Sequence, residues 1–208
     1  MMNGFGLRSI ALCLAMLFPV ILISEESKPE ETVLYFDIVA FNRVVGKLTT
    51  IKSVEGSGIF YKSTTAVNIR IIKNINVVFD FEVSFSKDEM QCADIKASVN
   101  DDVYADTHTE RVENNYRVYK NGERQDDVMG PIYFSAIRLY FEEPVDKKRC
   151  YAEQQGSFNT IEPMGNHSYK MTNVKGMENL YYYESGQLKR GVIDAGLIDF
   201  EIVASKSP

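Results

Sequence analysis

Residues 76–86 constrain the fold of this chain more than any other segment. They read Asn-Val-Val-Phe-Asp-Phe-Glu-Val-Ser-Phe-Ser, so aromatic residues alternate with acidic or small ones. A period of two places the aromatic side chains on one face of a β-strand, whereas a helix would scatter them around its axis. Asp80 and Glu82 should face solvent, because burying an unpaired carboxylate costs several kcal/mol. The residues expected to face a core are Tyr61, Val67, Ile69, Phe79, Phe81 and Phe85.

Short extended runs of this kind, separated by turn residues, recur along the chain after residue 32. Asn121-Gly122 is the dipeptide that best fits a type I′ hairpin turn. Only the stretch 131–141 differs, because its apolar residues follow helical spacing. We therefore expect an all-β fold, an antiparallel β-barrel or strongly curved sandwich of about a dozen short strands, with one short helix near 132–140.

The first 24 residues have the organisation of a secretory signal peptide. Arg8 is their only charged residue, the fourteen residues from Ile10 to Ile23 are almost entirely apolar, and an acidic stretch follows. This run is shorter than the roughly 20 residues that a bilayer span requires. We expect residues 1–24 to be a signal peptide, residues 25–31 an acidic linker and residues 32–208 a single β-barrel-like domain without a membrane span.

The net charge of −6 limits the partners of the chain. An acidic surface repels phosphate backbones, which argues against a nucleic-acid partner. Two cysteines, Cys92 and Cys150, remain after the leader is removed. In an oxidising compartment their even number predicts one disulfide. The alternative is two separate thiols, since cysteine also packs as a small hydrophobic residue.

Three motifs resemble a known family. They are Leu-Tyr-Phe-Glu-Glu-Pro over residues 139–144, Leu-Tyr-Tyr-Tyr-Glu-Ser-Gly over 180–186 and Phe-Asp-Ile-Val-Ala-Phe-Asn-Arg-Val-Val-Gly over 36–46. Together they resemble exported all-β proteins of Bacteroidota that are known only as a domain of unknown function. The resemblance implies an antiparallel barrel-like fold and a location in the periplasm or outer envelope of a Gram-negative bacterium. It implies no activity and no functional residue.

No catalytic motif is found in the sequence. A Gly-x-Ser-x-Gly elbow is absent, and neither cysteine has a flanking histidine. Asp106, His108 and Glu110 could share one strand face as metal ligands, but the same spacing is typical of the solvent face of an amphipathic strand. We favour the solvent face and predict a non-catalytic protein without a cofactor or metal site.

Twelve tyrosines and twelve phenylalanines are the remaining unusual feature. Aromatic residues form strands well and fill barrel cores. They also suit an apolar cavity for a lipid or other amphiphile, for which a closed barrel has room. The candidate ligand-lining residues are Tyr61, Phe79, Phe81, Phe85 and Phe200. The alternative function is a structural or assembly partner that binds another envelope protein through an exposed β-surface.

Overall fold

The computed structural model describes residues 29–70, 74–194 and 199–207. Fifteen strands and one short 3-10 helix, Ala136–Tyr140, are found there. The strands in chain order are β1 Glu30–Ala40, β2 Arg43–Glu55, β3 Gly58–Arg70, β4 Asn74–Ser86, β5 Glu89–Val99, β6 Asp102–Val112, β7 Asn115–Lys120, β8 Glu123–Arg124, β9 Val128–Met129, β10 Arg149–Ala152, β11 Ser157–Gly165, β12 Ser168–Thr172, β13 Glu178–Glu184, β14 Gln187–Asp194 and β15 Asp199–Ser205.

The N-terminal predictions fall mostly on residues that are not described. The predicted signal peptide, residues 1–24, and residues 25–28 of the predicted linker lie outside the described ranges. Glu30 and Glu31, the last two residues of that linker, pair with Val54 and Ser53 and belong to β1. Among the described residues, no helix has the length and apolar character needed to cross a bilayer.

All strands belong to one antiparallel sheet, which confirms the predicted all-β class. The strand order is β10-β11-β12-β13-β14-β15-β1-β2-β3-β4-β5-β6-β7-β8, and β9 pairs with β7. The last strand, β15, is therefore inserted next to the first. The sheet curls on itself, as a hydrogen bond between distant strands shows. The hydroxyl oxygens of Tyr151 in β10 and Thr109 in β6 lie 2.8 Å apart. These two strands stand near opposite ends of the order.

Residues 131–141, called here the inserted segment, lie against this curled sheet and bury the side chains of one side in its core. The Met90 N–H donates to the Ile132 carbonyl at 2.9 Å, and the Tyr151 N–H donates to the Phe134 carbonyl at 3.0 Å. The segment thus joins β5 to β10.

The predicted short helix is replaced by a single 3-10 turn. The segment is extended up to Ser135, and only Ala136–Tyr140 is helical. Four of its apolar residues, Ile132, Phe134, Ile137 and Leu139, are buried, whereas Tyr133 is 55% exposed. Ile132 and Phe134 alternate with the exposed Pro131 and Tyr133, so the first part of the segment follows the period of two of an extended strand and only the second part is helical.

The predicted orientation of β4 is confirmed. Phe85 is buried, as are the β3 residues Tyr61, Val67 and Ile69. Asp80 and Glu82 are exposed on the opposite face. The core consists of two clusters of buried side chains, one centred on β1, β2 and the C-terminal strands and one on β3 to β5. Tyr140 of the inserted segment packs against both clusters and links them.

Candidate functional site

A buried carboxylate holds the inserted segment in place. Glu153 follows β10 and is 1% exposed. Its oxygens accept hydrogen bonds from the N–H groups of Ala136, at 3.2 Å, and Ile137, at 3.1 Å. Burial raises the pKa of Glu153 above its ordinary value, although these hydrogen bonds oppose the shift. The carboxyl group therefore satisfies donors of the 3-10 turn that have no partner within the turn.

Residues of the motif at 139–144 form hydrogen bonds with side chains of the C-terminal strands and their turns. The Tyr183 hydroxyl donates to the Leu139 carbonyl at 2.8 Å. The Glu143 carboxylate accepts a hydrogen bond from the Tyr169 hydroxyl at 2.7 Å, and His167 Nδ1 lies 2.9 Å from it. Desolvation acts to raise the pKa of Glu143, but its hydrogen bonds with Tyr169 and His167 lower it overall. Both motifs of the second half thus serve to anchor the inserted segment.

Four of the five candidate ligand-lining residues are divided between the two core clusters, and Phe79 belongs to neither. Tyr61 and Phe85 form an edge-to-face pair with ring centroids 5.8 Å apart, and both are buried. Burial raises the pKa of the Tyr61 hydroxyl to about 12. Phe81 packs against this same cluster, whereas Phe200 packs against the other. The structure therefore does not gather all five at one place.

Phe79 and Phe81 face the interior but are only half-buried. Their neighbours on β5, Ala97 and Ile95, are 1% and 0% exposed. The two rings therefore keep part of their surface accessible although their β5 neighbours are buried. Thr65, which pairs with Phe79, is also half-buried. We call Thr65, Phe79 and Phe81 the open interior patch.

A second group of functional side chains lies on the outer face of the sheet. Cys92 and Asp94 alternate with buried residues on β5, and His108 of β6 pairs directly with Asp94. His108 Nδ1 lies 2.7 Å from Asp94 Oδ1, and the Cys92 thiol donates to Asp94 Oδ2 at 3.4 Å. One potential ligand atom from each residue falls within 4.8 Å of the others. We call these three residues the outer cluster.

The outer cluster lies beside an accessible groove with both polar and apolar walls. A groove of about 400 Å³ on this face is lined by Cys92 and Asp94 together with side chains such as Phe60. Partial burial, with the neighbouring Asp94 carboxylate, raises the pKa of the Cys92 thiol to about 12. The thiol is therefore protonated and a poor nucleophile near neutral pH.

The predicted disulfide between Cys92 and Cys150 is wrong for this structure, in which both thiols are free. Cys92 lies on the outer face of β5, next to Asp94. Cys150 is completely buried inside the barrel, in the cluster that contains the C-terminal strands. The wall of the barrel separates the two side chains, and a disulfide needs Cβ atoms about 4 Å apart.

Asp106, His108 and Glu110 share the outer face of β6, as expected from their spacing, and alternate with the buried Thr107 and Thr109. Only His108 belongs to the outer cluster. Sequence reasoning missed the contribution of Cys92 and Asp94. The available signal was their spacing of two on a predicted strand, but the pairing of that strand with β6 is a property of the fold.

Comparison with solved structures supports the architecture. The chain is similar to the crystal structure of a β-barrel-like protein of the domain of unknown function DUF1849 from Brucella abortus, with a TM-score of 0.52 and 10% sequence identity over 86% of this chain and 96% of that one. At this identity the similarity concerns the fold alone. No curated protein matches the chain. Residues 36–205 match the model of a domain of unknown function, DUF6134. The chain therefore belongs to the DUF6134 family.

Proposed function

We propose that this chain is an exported, non-catalytic protein of the bacterial envelope that binds an apolar or amphiphilic small molecule inside its barrel. The site of binding is the open interior patch. Export is supported by the charged start, apolar core and polar continuation of residues 1–24. A location in the periplasm or outer envelope of a Gram-negative bacterium is supported by the resemblance of the sequence motifs.

The observation that carries the proposal is the half-burial of Phe79 and Phe81 on the inward face of a 13-residue strand. Aromatic rings that face a core and still contact water are an unfavourable arrangement for a chain without a ligand. Each Å² of apolar surface removed from water by a ligand contributes about 25 cal/mol. The Thr65 hydroxyl beside the rings offers a hydrogen-bonding group to the polar end of an amphiphile.

Native mass spectrometry of the protein purified from its own envelope fraction tests the proposal. We expect an adduct of lipid-like mass that organic extraction removes. Reloading the extracted protein with the recovered molecule should be at least about tenfold weaker for Phe79→Ala, which corresponds to roughly 1.4 kcal/mol.

Phe60→Ala is the matched control, because Phe60 is a phenylalanine of the same hairpin that is 48% exposed on the outer face. It should bind the recovered molecule as the unaltered chain does. An adduct-free protein that co-purifies with another envelope protein would contradict the carrier proposal. That result would favour the alternative, a structural or assembly partner that acts through its β-surface.

A further inference from the structure

We infer that the outer cluster, Cys92, Asp94 and His108, binds one borderline transition-metal dication of the zinc class. This site lies on the opposite face of the sheet from the open interior patch. The inference is therefore independent of the proposed carrier function.

The backbone places the three ligands without any loop rearrangement. Cys92 and Asp94 stand two residues apart on one face of β5, and His108 is the cross-strand partner of Asp94. Zinc takes sulfur at about 2.3 Å and nitrogen or oxygen at about 2.0–2.2 Å, so ligand atoms in a tetrahedral site lie roughly 3–4 Å apart. The three ligand atoms already fall within 4.8 Å of one another. Small side-chain rotations are enough to bring them to a common ion.

The donor set selects the class of metal. A thiolate, an imidazole and a carboxylate together favour zinc and its borderline neighbours, whereas calcium and magnesium prefer oxygen ligands alone. On binding, the Cys92 thiol releases its proton to solvent. The thiolate and the Asp94 carboxylate then balance the two charges of the ion, and their attraction offsets part of the free-energy cost of removing water from it.

The surroundings complete the site. Glu110 pairs with Cys92 across the β5–β6 ladder and can supply the fourth ligand in place of water. The Tyr119 ring lies beside His108, with centroids 6.2 Å apart, and restricts rotation of the imidazole. Glu82 pairs with Asp94 from the other side, but Lys62 neutralises it at 2.7 Å. Glu110 also has a cationic neighbour, Arg117, at 3.9 Å, so the negative charge available to a cation is concentrated at Asp94.

Titration of the full chain with Co²⁺ under a phosphine reductant tests the inference, because cobalt replaces zinc and reports its ligands by absorption. We expect a sulfur-to-cobalt charge-transfer band and the strong visible bands of tetrahedral cobalt, both removed by excess Zn²⁺. Cys92→Ser should abolish the charge-transfer band. His108→Ala should weaken binding by roughly 100-fold, since even the loss of an outer-shell partner costs about 10–100-fold.

His167→Ala is the matched control, because His167 is the other histidine of the chain and also lies beside a carboxylate, that of Glu143. It should bind cobalt as the unaltered chain does. Circular dichroism establishes that each variant is folded, and Asp94→Asn provides a second ligand variant with an almost unchanged shape. Absence of the charge-transfer band, its persistence in Cys92→Ser, or equal losses in His108→Ala and His167→Ala would overturn the inference.

Discussion

Glu153 shows how one side chain can determine the conformation of a whole segment. Its carboxyl group accepts hydrogen bonds from two consecutive backbone N–H groups, those of Ala136 and Ile137, deep in the protein. A buried donor left without a partner costs about 1–3 kcal/mol. The 3-10 turn is therefore stable at this place because Glu153, the residue that follows β10, supplies the acceptor for both groups.

The raised pKa of Glu153 makes the stability of the protein depend on pH. The folded state binds this proton more tightly than the unfolded state. Its contribution to stability is therefore fully present below the ordinary pKa of glutamate, about 4.3, and is lost as the pH rises through the folded value. We expect the free energy of unfolding of the unaltered chain to fall as the pH rises from the ordinary pKa of glutamate through the higher pKa of folded Glu153. Glu153→Gln should lack this part of the pH dependence.

Urea unfolding at a series of pH values measures the effect. Glu184→Gln serves as the control, because it removes the same charge from an exposed side chain at the end of β13. The control should keep the pH dependence of the unaltered chain. Parallel curves for the unaltered chain and Glu153→Gln would show that the carboxyl group is not linked to folding.

At the scale of elements, the pairing of β2 with β3 depends on a residue without a side chain. A Cβ atom built on Gly46 would lie 2.3 Å from the backbone oxygen of Ala66. Backbone atoms of a central strand cannot move aside as a flexible side chain can. Gly46 ends the first family-like motif, so the close approach of these two strands explains why that motif closes with glycine.

Gly46→Ala should therefore destabilise the protein by about 1–3 kcal/mol or more, as overpacking does in a tight core. Gly191→Ala is the matched control, since Gly191 is also a strand glycine but its Cβ would meet only ordinary contacts at 3.7 Å. The control should be neutral or slightly stabilising, because alanine restricts the unfolded chain. Thermal unfolding of the two variants gives the comparison, and equal losses would refute the proposed clash.

Local patterns predicted the elements but not their partners. Alternation in residues 76–86 predicted β4 and its faces, because the period of two is a property of a single strand. Asn121 and Gly122 both have positive φ, 50° and 79°, as the predicted type I′ turn requires. The outer cluster could not be predicted, since it depends on the β5–β6 register. The disulfide prediction failed because counting cysteines does not reveal that Cys92 and Cys150 lie on opposite faces.

At the scale of the whole molecule, the strand order makes β15 the link between two halves. Strands β1 to β9 form one half and β10 to β14 the other. In the described parts of the chain, β15 is the strand that pairs with both, through five residue pairs with β1 and five with β14. Ile202 of β15 is also a buried member of the core cluster that joins β1 and β2 to the C-terminal strands. The last strand in sequence is therefore central in the sheet.

A chain that ends at Asp194 should accordingly lose its cooperative unfolding transition, although it lacks only the final fourteen residues. Removal of β15 exposes unpaired edges on both β1 and β14 and opens the core at Ile202. A chain that ends at Ser205, where β15 ends, is the control and should unfold as the full chain does. Circular dichroism during urea unfolding distinguishes the two. If the chain ending at Asp194 kept the native transition, the inserted segment and the contact of Tyr151 with Thr109 would be enough to hold the halves together, and β15 would be a peripheral strand.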